Sequence, residues 1–95
     1  MCYNLSMKLI AKPIDALVYF FDRKQPRPYK FRYRDEDGKD HVVVVDKVIA
    51  VSEHNIPGSR SYIFECQSFN GSFDYRYELR YAPDSTTGQW QLYKI

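Results

Sequence analysis

The sequence predicts an all-β fold: a single small domain of six antiparallel strands, running as a meander and rolled into a small SH3-like barrel. Three observations predict it. Residues suited to a pleated surface dominate, with 31 Val, Ile, Thr, Tyr, Phe and Trp against 19 Ala, Leu, Met, Glu and Gln. Apolar and polar residues alternate with a period of two in several short segments. Gly, Pro, Asn and Asp cluster between those segments at the spacing of a small β domain. A chain of 95 residues holds one core. Its 44% hydrophobic content and net charge of +2 exclude disorder.

Residues 1–15 read as an N-terminal tail and 16–95 as the β domain, with residues 1–6 an upstream extension if Met7 is the start. The first strand covers about Ala16–Asp22 and ends where Pro26 and Pro28 remove ladder donors. The second, Tyr29–Arg34, alternates Tyr29, Phe31 and Tyr33 with Lys30, Arg32 and Arg34, so one face is aromatic and the other cationic. Asp35–Asp40 is a hairpin turn, with Asp37-Gly38 suited to positive φ.

The third strand runs from His41 to about Val51. Its four consecutive valines predict burial on both faces. Asp46-Lys47 predicts a bend or bulge that lets one strand serve both halves of a rolled sheet. Ser52–Ser59 reads as a loop turning at Pro57-Gly58.

Ser61–Phe69 and Ser72–Tyr81 flank Asn70-Gly71, a favoured two-residue hairpin turn. Centring the turn there sets Cys66 opposite Tyr75, Phe64 opposite Tyr77 and Glu65 opposite Arg76. One face is then apolar and the other polar, a pattern that a one-residue slip would destroy. After the turn at Ala82–Gln89, Trp90–Ile95 returns with Trp90 opposite Tyr81 and Leu92 opposite Leu79. Tyr62, Phe64, Phe73, Tyr75, Tyr77, Tyr81 and Trp90 then share the core face, so the 17% aromatic content is chiefly a packing solution. Phe69, Tyr93 and one of Tyr19 and Phe20 are left outside.

The sequence carries no assembled catalytic set, and no enzyme activity is expected. His41 and His54 stand in no zinc-ligand spacing, so no metal or other cofactor is expected. Cys66 falls on the apolar face, as a small core residue rather than a nucleophile. The Asp-rich turn lacks the later ligands of a calcium loop. There is no phosphate-binding glycine motif. No secretory signal or membrane span is read, and two cysteines make no disulfide framework, so the expected compartment is the cytoplasm.

Charge is unevenly spread: residues 1–34 carry +6 and residues 35–95 carry −4. The candidate binding residues are therefore Arg27, Lys30, Arg32 and Arg34, with Arg76 and Arg80 as a second group. Such cations contact phosphate without reading sequence. Self-association through an exposed strand edge, at the second or the last strand, is the other expectation.

From Pro28 onward the chain resembles a group of short bacterial domains. The shared pattern is Pro28, Phe31 and Tyr33, then Val42–Val45, Tyr62-Ile63-Phe64, Tyr77-Glu78-Leu79-Arg80-Tyr81 and Gly88-Gln89-Trp90-Gln91-Leu92. Some of those domains accompany Y-family translesion DNA polymerases. The resemblance implies a β fold and an association with DNA repair, and it carries no catalytic motif. The expected function is a non-enzymatic binding or accessory module with a nucleic-acid or protein partner.

Overall fold

The computed structural model describes residues 8–20, 26–70, 73–84 and 89–95. The strands are β1 (Leu9–Pro13), β2 (Asp15–Tyr19), β3 (Arg27–Arg34), β4 (Asp40–Val44), β5 (Lys47–Ile56), β6 (Ser59–Asn70), β7 (Phe73–Tyr81) and β8 (Trp90–Lys94). No helix occurs among the described residues, so none is long and apolar enough to cross a membrane. The strands form a five-stranded sheet in the order β1-β8-β7-β6-β5 and a three-stranded sheet in the order β2-β3-β4. All pairings are antiparallel.

The all-β antiparallel class stands, and the six-stranded barrel is corrected. Neither sheet closes on itself. The extra strands arise from two bends. Val45 and Asp46 separate β4 from β5, at the break expected from Asp46-Lys47. Ile14 alone separates β1 from β2. Hydrogen bonds continue through both corners: Ile14 N donates to the Trp90 carbonyl (3.2 Å), Val45 N to Tyr29 (2.8 Å) and Asp46 N to Gln67 (3.1 Å). Asp46 also accepts the Phe69 amide on its carboxylate at 2.7 Å. Each bent strand thus leaves one sheet and enters the other, which is how orthogonal β layers make their corners.

Residues 9–13, read as part of a tail, form β1 and pair with β8. Ala11 has φ +44° where the β1–β8 register shifts, so the bulge that curves this edge falls on a non-glycine residue. The expected loop Ser52–Ser59 is mostly strand. β5 continues to Ile56, and Ile56 pairs with Ser59 across Pro57-Gly58. Gly58 has φ +83°, as the third position of a Pro-Gly type II turn requires.

The β6–β7 register differs from expectation by two residues. Asn70 pairs with Phe73, Cys66 with Tyr77 and Phe64 with Leu79. Residues 71–72 lie between the strands and outside the described residues. A shift of two preserves both faces, so Phe64, Cys66, Tyr77 and Leu79 still point into the core. The expected pairs Tyr81–Trp90 and Leu79–Leu92 are both present. Phe31, Val45, Trp90 and Leu92 complete the buried cluster, with Phe31 meeting Tyr77 across the sheets at 5.5 Å between ring centroids. Tyr75 is exposed rather than buried.

The valine run is also corrected. Only Val45 is buried; Val43 is partly covered, whereas Val42 and Val44 are 64% and 47% exposed. The cause is layering: Val42 and Val44 lie on the face of the three-stranded sheet turned away from the core cluster. The strands expected to be edges are internal, since β3 lies between β2 and β4 and β8 between β1 and β7.

Candidate functional site

Strand β3 carries the first cationic group because its side chains alternate. Phe31 is buried and Tyr33 half-buried on the core side, while Arg32 and Arg34 are exposed on the other. Register places Lys30 between Leu17 and Val44, and Arg32 between Asp15 and Val42. Arg34 lies opposite Asp40. Two cross-strand rows result, one Leu17–Lys30–Val44 and one Asp15–Arg32–Val42. The β2–β3 register shifts between Leu17 and Val18, so Val18 faces Pro28, which is fully buried. That bulge ends the cationic alternation.

Both arginines are held by carboxylates. Arg32 Nη2 donates to Asp15 Oδ2 at 2.6 Å, and Arg34 Nε to Asp40 Oδ1 at 3.0 Å. The Asp40 carboxyl is kept below its ordinary range, first by the Arg34 hydrogen bond. Lys12 Nζ donates to the Arg34 carbonyl at 2.6 Å and lies 5.7 Å from the Tyr33 ring centroid. Together with Pro13, Ile14 and Tyr33, the two ion pairs line an open groove of about 260 Å³ where β1 passes into β2. Lys30 differs. Its ammonium lies 5.9 Å from the Tyr29 ring centroid, and among the described residues it has no carboxylate partner.

The six sequence candidates do not form one patch. Lys30, Arg32 and Arg34 share the outer face of the three-stranded sheet. Arg27 is half-buried at the start of β3, donating from Nη1 to the Pro28 carbonyl at 3.2 Å. Arg76 and Arg80 belong to β7, on the outer side of the other sheet and across the core. Arg76 is 3.9 Å from Glu65, and Arg80 donates to Gln91 Oε1 at 3.3 Å.

Leu17, Val42 and Val44 join this face without any mark in the sequence, and so do Asp15 and Asp40. Arg34 and Asp40 flank the Asp35–Lys39 turn symmetrically, so that pair was recoverable from hairpin geometry. The Asp15–Arg32 pair was not, because its register depends on a bulge.

Other chemistry is sparse. His41 Nε2 lies 2.6 Å from Asp35 Oδ2 and its ring stacks on Tyr33 at 5.0 Å. His54 is exposed on β5. No cluster of three potential metal ligands occurs among the described residues. Cys66 is fully buried, and burial pushes its thiol up to about 12. Such a thiol is a poor nucleophile at neutral pH.

No protein-family model matches the chain, and no curated protein or solved structure matches it.

Proposed function

We propose that the protein is a cytoplasmic, non-enzymatic binding module that docks a protein partner on the outer face of its three-stranded sheet. One observation carries this reading. Leu17, Val42 and Val44, with Tyr19 beside them, are large apolar side chains exposed together on a face that also presents Lys30, Arg32 and Arg34. Large apolar side chains left exposed on one face among polar groups mark interaction sites. An accessory role beside a DNA polymerase, as the resemblance implies, is compatible with such a module.

The nucleic-acid version is less favoured. Asp15 and Asp40 offset the charge of Arg32 and Arg34, and phosphate gains nothing from Leu17, Val42 or Val44. Self-association has one specific support: β5 is a ten-residue edge strand, exposed from Val51 to Asn55. The register shift near Ile49 and the charge of Glu53 blunt that edge. Sedimentation across a concentration series tests it, and a strict monomer rejects it.

The docking face is tested by placing a photo-cross-linking amino acid at position 44, and separately at position 52 on β5, and irradiating each in a lysate of the native cells. A discrete adduct at position 44 that is missing at position 52 is expected. The same products at both positions would reject the face.

A further inference from the structure

Resting on that docking face, we infer that its occupant is an acidic, apolar segment of a partner protein, with a carboxylate on Lys30 and aliphatic side chains over Leu17, Val42 and Val44. Lys30 sets the chemistry of the face. Its row places Leu17 on one side and Val44 on the other, both exposed. A partner that covers those two side chains also strips water from the half-buried lysine between them. Removing water from an unpaired charge is costly, so a wholly apolar partner is disfavoured and a basic one is repelled. A carboxylate set between apolar side chains satisfies the whole row.

The neighbouring row adds direction. Arg32 and Arg34 each spend one donor on an aspartate, leaving the rest of the guanidinium to solvent, with side chains 56% and 70% exposed. The aspartates already balance the charge of Arg32 and Arg34. They also repel acid placed at the far ends of the face. Lys30, Arg32 and Arg34 against Asp15 and Asp40 leave a net +1, centred on Lys30. A nucleic-acid strand, with a phosphate at every step, would meet both aspartates. A segment with spaced carboxylates avoids them.

The test uses short synthetic peptides labelled with fluorescein and titrated by anisotropy: alternating Leu-Glu, Leu-Lys and Ser-Glu. The Leu-Glu peptide is expected to bind saturably, and each of the others at least about tenfold more weakly. Lys30→Glu and Val44→Ser, with unchanged Trp90 emission, are each expected to weaken Leu-Glu binding by about tenfold, and added salt to weaken it further. Equal binding of Leu-Glu and Leu-Lys, lost in Val44→Ser, would overturn the acidic preference and leave the docking face standing. Binding of none of the three would overturn the inference, and the cross-link at position 44 then judges the face by itself. Tighter binding to oligothymidylate or to phosphatidylserine vesicles at the same salt would also overturn it.

Discussion

Tyr77 donates its phenolic proton to Ser68 Oγ, and Ser68 in turn donates to the Val44 carbonyl at 2.7 Å. This relay crosses from β7 through β6 to the end of β4, tying the five-stranded sheet to the strand that carries the docking face. Both side chains are almost fully buried, so water cannot replace either partner. Ser68→Ala leaves the buried Tyr77 hydroxyl and the partly buried Val44 carbonyl short of a partner, and is expected to cost about 2 kcal/mol. Tyr77→Phe keeps the Ser68–Val44 bond and is expected to cost about 1 kcal/mol. Urea denaturation followed by emission of Trp90, the single tryptophan, checks the order. A larger loss in Tyr77→Phe would mean that the serine is not the hub.

Alkali should destabilise the fold through Cys66 and Tyr77. Burial raises both groups, Cys66 to about 12, so each stays protonated in the folded chain after the unfolded chain has lost its proton. The unfolded state then binds fewer protons, and stability falls as pH rises above about 9, by roughly 1.4 kcal/mol per pH unit for the thiol alone. The fall from the thiol ends near its folded value. Cys66→Ala is expected to flatten the slope between pH 9 and 10, before tyrosine ionises, as measured by denaturant midpoints across that range. An unchanged slope would assign the effect elsewhere.

The β6–β7 hairpin shows which part of the fold was legible in the sequence. The period of two assigns Phe64, Cys66, Tyr77 and Leu79 to one face, and that assignment survives because the true register differs by an even number. The turn did not fix the register, since a difference of two moves the turn along the hairpin without moving any side chain between faces. Cross-strand NOEs should join Cys66 to Tyr77 and Phe64 to Leu79, not Cys66 to Tyr75. The Glu65–Arg76 ion pair survives as a diagonal contact, while Glu65 directly opposes Glu78.

The site was less legible. Val42 and Val44 are chemically identical to the buried Val45, and only the packing of the two sheets leaves them outside the core. Local sequence cannot distinguish a strand of valines covered on one face from one covered on both. The cations of β3 were visible, but their carboxylate partners Asp15 and Asp40 come from two other strands. The face is therefore less basic than the run of cations in β3 implies.

The β3–β4 turn should loosen in acid. Asp35 Oδ1 accepts the amides of Asp37 and Lys39, both at 2.9 Å, and Oδ2 accepts from His41. These bonds, His41 first, hold the Asp35 carboxyl below its ordinary range. A depressed folded value means that the stabilisation is complete above the unfolded value near 3.8 and is lost as pH falls through the folded one. Amide exchange at Asp37 and Lys39 is expected to lose protection in that acid window. Asp35→Asn should abolish the pH dependence, and protection unchanged at low pH would rule the carboxylate out as the organiser.

Substitutions on the docking face should be nearly silent in stability. Leu17, Val42 and Val44 gain little from folding, because much of each side chain remains in water. Leu17→Ser and Val42→Thr are each expected to shift the unfolding free energy by no more than about 0.5 kcal/mol. Phe64→Ala is the internal contrast. Phe64 is 1% exposed and its ring centroid lies 5.4 Å from that of Trp90, so its truncation should cost about 3–5 kcal/mol. A loss above about 1 kcal/mol in Leu17→Ser or Val42→Thr would mean that these side chains support the fold. The case for a docking surface would then fail, since apolar exposure calls for a partner only where the fold does not itself use it.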